Sequence, residues 1–371
     1  FYPSIGLSAI LTSMFNAPDW LTYLKVRGSY TEVGNSYGRF MTTVTYPYDE
    51  QTQSWTSTSS YPNTKLKPER TKSWEVGLDA RILNDISLNL TYYRSNTYNQ
   101  TFYADLSLSS GYSNIPIQSG NIMNEGLEMS LGYNKQWKDF SFNTNYTLTW
   151  NKNRVKRLAD GVYNYATGQP IQMPELSPLT YGHTDARLIL RVGGSMGDVY
   201  GQRLLKRDLN GYILNEEGVG LAMENKETYL GSILPKMNMG WSLGFGYKGV
   251  NLGMTFTGRF GGIVISETQS VLDAAGVSKV SADVRDAGGV QINQSKVSAQ
   301  TYYQTIQGTA AYYTYSATNV RLGELSLSYT LPKKWFDNKV GMTVGLVGKN
   351  LWMIYCKAPF DPELTTSAAS N

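Results

Sequence analysis

Met237-Asn238-Met239-Gly240-Trp241-Ser242-Leu243-Gly244-Phe245-Gly246-Tyr247 is the stretch that decides the fold. Six large apolar residues occupy alternate positions, with Asn, Gly and Ser between them. Successive side chains of a strand point to opposite faces, so a period of two gives one apolar and one small polar face. The run predicts a strand of about eleven residues, roughly twice the usual globular length and near what a tilted strand needs to cross a bilayer. After Lys248-Gly249 the alternation restarts with Leu252, Met254, Phe256 and Phe260 against Gly253, Thr255, Thr257 and Arg259, the returning arm of a hairpin.

Working outward, the same pairing recurs. Trp74, Val76, Leu78, Ala80 and Ile82 lead through Asn84-Asp85 into Leu88, Leu90 and Tyr92. Leu127 to Tyr133 leads through Lys138-Asp139 into Phe140 to Trp150, and Leu325 to Leu331 leads past Pro332 and Asp337-Asn338 into Val340 to Leu346. An earlier pair joins Ile5–Leu11 to Leu24–Val33 across Asn16 to Trp20. The count is about ten long strands. Between the tight links lie four long polar segments, 34–70, 95–120, 151–235 and 262–318, all on one end of the sheet. Loops beyond about 15 residues are uncommon in compact domains. Short turns at one end and long loops at the other are the asymmetry of outer-membrane barrels. Trp20, Tyr23, Trp137, Tyr247 and Trp335 fall at the turn end and Tyr92, Trp150, Phe260 and Trp352 at the loop end, as two aromatic girdles would.

The 371 residues include 28 Tyr, 11 Phe and 8 Trp, with 36 Gly and 17% charged residues. Mean hydropathy is negative at -0.33, and apolar runs such as Leu188-Ile189-Leu190 fall far short of the ~18 residues of a membrane helix. One His and one Cys supply neither a Cys/His zinc site nor a disulfide. A net charge of +4, with scattered basic residues, argues against a nucleic-acid partner. The reading is therefore all-β, a transmembrane antiparallel barrel with lipid outside and a polar lumen. A soluble sandwich is the competing reading, since it too would alternate. Only closure into a barrel pairs every backbone group in lipid.

Four motifs carry a family resemblance. Leu66-Lys67-Pro68-Glu69, continuing to Trp74-Glu75-Val76-Gly77, resembles the L-K-P-E … W/Y-E-x-G strand entry of TonB-dependent outer-membrane transporters. Gly120-Asn121-Ile122-Met123-Asn124-Glu125-Gly126-Leu127-Glu128 is similar to their G-x-x-x-N-x-G-x-E strand start. Asn319 to Pro332, and Gly348-Lys349-Asn350-Leu351-Trp352 followed by Phe360-Asp361-Pro362-Glu363, resemble the closing part of the SusC/RagA branch. The resemblance implies a 22-stranded barrel with an N-terminal plug, importing oligosaccharides or peptides across the outer membrane of Bacteroidota. It also implies a SusD-like lipoprotein over the extracellular mouth and a TonB complex acting through an N-terminal region. Residues 1–371 are then expected to be the C-terminal barrel portion, without plug, TonB-contact segment or last strand. A surface barrel that binds without transporting, an adhesin or structural protein, is the alternative.

No catalytic site is expected. His183, beside Asp185 in a polar segment, reads as a solvated loop residue, Cys356 as a lone thiol and Gln51–Ser60 as an exposed loop. Asp208, Asn210 and Glu216 suggest a shortened calcium loop, but Asn210-Gly211 favours a type I′ hairpin, so no metal or cofactor is assigned. A further hairpin between Asp198–Lys206 and Tyr212–Val219 is entertained inside 151–235. Trp55, Tyr61, Tyr103, Tyr112, Tyr163, Tyr165, Tyr302, Tyr303, Tyr312, Tyr313 and Tyr315 fall in the long segments. They are the candidate substrate contacts, by stacking on sugar rings or packing on peptide side chains. Packing between loops or under a lid protein is their competing role.

Overall fold

The structure, a computed structural model, describes residues 1–56, 58–118, 120–158, 175–216 and 220–363. It divides into two compact units, one of residues 1–174, 235–261 and 318–356, the other of 175–234, 262–317 and 357–371.

The first unit is built on one ten-stranded antiparallel sheet whose strands neighbour one another in chain order. They are β1 (Ser4–Ile10), β2 (Leu21–Asn35), β3 (Glu69–Ile82), β4 (Ile86–Tyr98), β5 (Asn121–Trp137), β6 (Phe140–Arg157), β7 (Met237–Tyr247), β8 (Val250–Phe260), β9 (Asn319–Thr330) and β10 (Thr343–Cys356). The ten expected strands are present, and β2 to β6 run longer than the alternation alone suggested, at 13 to 18 residues. Lys248-Gly249 makes the β7–β8 turn with positive φ at both residues (46° and 90°), the type I′ geometry whose twist matches the flanking strands. The β9–β10 link contains a 3-10 turn at Lys333–Phe336, and the strand resumes at Thr343 rather than Val340.

Register turns the alternation into faces. One row across the sheet reads Leu24, Ala80, Leu88, Leu131, Tyr146, Trp241, Phe256, Leu322, Trp352. The adjacent row on the opposite face reads Lys25, Asp79, Asn89, Ser130, Thr147, Gly240, Thr257, Arg321. Such pairing leaves no register in which one strand's apolar set faces the other way. Aromatics bound the apolar face: Trp137, Phe140, Tyr247 and Tyr329 follow the turn end, and Tyr92, Trp150 and Phe260 share a row near the loop end. From Phe140 to Trp150 a strand rises about 33 Å. At a tilt of about 45° that is about 23 Å along the membrane normal, the height of a lipid-facing band. Among the described residues no helix is long and apolar enough to cross a membrane.

The second unit corrects the reading of 151–235 and 262–318 as polar loops. Strands Glu175–Thr180, Ala186–Arg191, Asp198–Leu205 and Met223–Ser232 form an antiparallel sheet. Asp198–Leu205 pairs with Met223–Ser232 rather than with 212–216, the register running from Asp198↔Ser232 to Leu205↔Met223, while 217–219 of the expected partner lie outside the described residues. Three helices follow: α1 (Glu267–Ala274), α2 (Lys279–Asp286) and α3 (Ala299–Ile306). Each starts on a serine, Ser266, Ser278 or Ser298, whose Oγ accepts from the amide three residues on. Leu205, Leu221, Ile292, Tyr303, Ile306 and Tyr313 make one core; Tyr181, Ala186, Val199, Ile265 and Ala310 make another.

Candidate functional site

In the first unit the loop-end segments 36–68 and 99–120 are stitched to each other. The hairpin Thr101–Asp105/Asn114–Gln118 supplies the frame. Ser113 N donates to Ser59 O and Tyr61 N to Asn114 O, both at 2.7 Å. Asn63 Nδ2 donates to Pro116 O at 2.9 Å, and the Gln118 amide bonds both the N–H and the carbonyl of Lys67. Backbone groups paired in this way give loops a fixed shape.

Four candidate aromatics stand on this frame. Tyr61, 41% exposed, meets Tyr112 edge to face at 5.1 Å, and Tyr103 is 45% exposed. Trp55, 71% exposed, sits on a short hairpin (Tyr48–Asp49 with Ser54–Trp55), its ring 5.0 Å from Tyr48. The Gln51–Ser60 stretch is thus partly structured, with Asp49 Oδ1 accepting from the amides of Gln51 and Thr52. Aromatic rings braced by a neighbour and open on one face suit stacking on a flat apolar ligand surface.

The other described candidates are placed differently. Tyr303 and Tyr313 are buried, and Tyr302, Tyr312 and Tyr315 pack half-buried against the same core of the second unit. Burial pushes the phenols of Tyr302, Tyr303, Tyr312 and Tyr315 above their ordinary value, with the Asp273 charge adding at Tyr303 and Tyr315. Tyr163 and Tyr165 lie outside the described residues. The helical role of Tyr303 had a local signal, since Ala299, Tyr303 and Ile306 stand at i, i+4 and i+7 behind the cap Ser298.

His183 is not solvated. It is 2% exposed, its Nδ1 accepts from Asp185 N at 3.0 Å and its Nε2 donates to Gln307 O at 2.8 Å, with the ring parallel to Tyr313. Asp185 accepts from Ala310 N at 3.0 Å and lies 3.4 Å from Arg203 Nε. His183 is thereby a cross-brace of the second unit, both ring nitrogens being used. The Asn210-Gly211 turn is a hairpin, but only Gly211 has positive φ, so it is not type I′. Gly211 N bonds Asp208 O, and Asp208 Oδ1 accepts from the amides of Asn210 and Tyr212, an Asx-type turn. Among the described residues no three His, Cys, Asp or Glu groups gather to hold a metal. Cys356 is half-buried at the end of β10 and takes part in no disulfide among the described residues.

One site escaped the alternation pattern because it needs cross-strand register. On the polar face Arg27 lies flat over Gly77, where an added Cβ would sit 2.6 Å from its Nε. The guanidinium donates to Thr91 Oγ1 at 2.6 Å and lies 3.8 Å from Glu75 and 3.9 Å from Asp79. Tyr93 crosses Gly126 in the same way to donate to Asn151 Oδ1 at 3.1 Å. The glycines of both strand-entry motifs are therefore spaces over which long polar-face side chains reach a second strand.

A family model described as TonB dependent receptor-like, beta-barrel matches residues 1–351. Over 98% of its length the chain is 25% identical to TonB-dependent receptor P3 of Formosa agariphila, of which it covers 38%. Over 41% of its length it is 27% identical to TonB-dependent receptor SusC of Bacteroides thetaiotaomicron, of which it covers 14%. It superposes on the RagAB peptide importer in its open-open state with a TM-score of 0.70 at 21% identity, covering 98% of this chain and 40% of that one. That likeness concerns the fold. The chain spans about two fifths of the length of the relatives it matches along its whole extent.

Proposed function

The chain belongs to the TonB-dependent receptor β-barrel family, and on that premise we propose that it is the C-terminal barrel portion of a SusC/RagA-type importer of oligosaccharides or peptides. Members of this family are outer-membrane receptors and transporters, not enzymes. The observation that carries the reading is the two-faced sheet: an apolar band of membrane height outside and a charged, hydrogen-bonded face within. β1 and β10 each have one strand neighbour among the described residues. An unpaired strand edge is untenable in lipid, so further strands of the same protein close the barrel, to 22 by family analogy.

In this reading the stitched loops and a SusD-like lipoprotein hold the solute at the extracellular side. Trp55, Tyr61, Tyr103 and Tyr112 make the ligand contacts, while Tyr302, Tyr303, Tyr312, Tyr313 and Tyr315 serve mainly as the scaffold of the second unit. A plug, moved by the TonB complex through an N-terminal region, opens the path. The test is isolation of the native complex from outer membranes, with mass spectrometry of co-purifying protein and small molecules. A stoichiometric surface lipoprotein and an oligosaccharide or peptide are expected. Recovery of the receptor without either, from cells whose nutrient uptake is unchanged by its deletion, overturns the proposal.

A further inference from the structure

The second unit contains a cavity of about 480 Å3 between α1, α2 and α3, within the size range of small-molecule sites. Its lining carries groups of opposite electrical character. Asp273, in the last turn of α1, is 5% exposed. Asp273 takes one side-chain hydrogen bond, from Gln269 Nε2 to Oδ1 at 2.8 Å, and no ion pair within 4 Å among the described residues. A buried carboxylate with a single neutral donor retains an unmet demand for positive charge, and the carbonyl end of a helix adds to it. Arg285 and the first turn of α3 line the same cavity. Ser298 satisfies the amides of Thr301 and Tyr302, whereas those of Ala299 and Gln300 have no acceptor among the described residues. Among the described residues Arg285 pairs only with the exposed Asp286 at 3.6 Å, a contact of the kind that contributes little. Its guanidinium is free to take a carboxylate in a bidentate grip.

We propose that this cavity binds a zwitterion of amino-acid or dipeptide size, its ammonium on Asp273 and its carboxylate on Arg285 and the α3 amides. Gln300 and Gln304, which also line the cavity, supply donors and acceptors for the peptide group between the two charges. The assignment goes beyond the import reading and does not depend on it, because every lining residue belongs to the second unit and none is a loop aromatic of the first.

Calorimetric titration of the full-length protein with L-alanyl-L-alanine tests it, beside the same dipeptide acetylated at one end and amidated at the other. Saturable binding is expected, at least tenfold weaker for the capped dipeptide and at least tenfold weaker in Asp273→Asn and in Arg285→Gln. Arg285 is 62% exposed on its side chain, so Arg285→Gln keeps the test alive if Asp273→Asn disturbs folding. Absence of saturable binding, equal affinity for capped and free dipeptide, or affinity unchanged in Arg285→Gln overturns the proposal.

Discussion

Gly126 and Gly28 are both strand glycines, yet their surroundings differ. A Cβ on Gly126 would meet Trp150 O and the Tyr93 ring at 2.6 Å, whereas on Gly28 the nearest atom is Glu75 O at 3.7 Å. Gly126→Ala is therefore expected to destabilise the sheet by about 1–3 kcal/mol and Gly28→Ala by less than about 0.5 kcal/mol. The loss of heat-resistant electrophoretic mobility on stepwise heating checks both. His183→Ala would strip partners from Gln307 O and Asp185 N inside the second unit, a cost of about 2–4 kcal/mol. Faster proteolysis within 175–234 and 262–317 is the readout; a solvated His183 would leave it unchanged. The tyrosines carry a pH signature. Tyr302, Tyr303, Tyr312 and Tyr315 are raised by burial. A raised folded value stabilises the neutral form. That contribution is intact below the unfolded value of 10.0 and is lost as pH climbs through the folded values. Titration of the phenolate absorbance should therefore show a group ionising above pH 10 only as the second unit loosens.

At the level of elements, strands were far more legible than helices. Leu131 and Ser130 are neighbours on β5, one in the apolar row and the other in the polar row. Leu131→Arg is expected to cost about 2–4 kcal/mol in a bilayer, with Ser130→Arg near neutral, because only the first places charge against hydrocarbon. The yield of folded protein in lipid vesicles separates them. Equal yields would mean that the faces are assigned wrongly. The strand faces could be read because period-two alternation repeats over five or six positions in each strand. Helices α1 to α3 have eight residues each, too few to repeat a 3.6 period convincingly. Their punctuation was nevertheless present: Ser266-x-x-Gln269 at the start of α1, and Gly276 and Gly288, with φ of 72° and 79°, after α1 and α2. The hairpin at Asn210-Gly211 was legible as a turn but not in type, because the Asp208 carboxylate captures two amides and fixes Asn210 at negative φ.

For the whole molecule, the open ends of the sheet make a prediction. Residues 1–371 produced alone should fail to give a heat-modifiable, protease-resistant barrel in detergent, whereas the complete receptor should give one. Autonomous folding of 1–371 would remove the case for closure by further strands. What the amino-acid order determined by itself is the ten-stranded meander, its two faces, its aromatic limits and the end from which the long connections leave. Alternation and turn chemistry act between residues close in the chain, so they survive in a linear reading. What only the tertiary structure decided is the fate of the long connections. Tyr303, Tyr313 and His183 become buried through contacts between segments about a hundred residues or more apart, such as His183 with Gln307 and Asp185 with Ala310. Burial is a property of such distant encounters, and a tyrosine in a polar stretch looks the same in sequence whether it meets a ligand or a core.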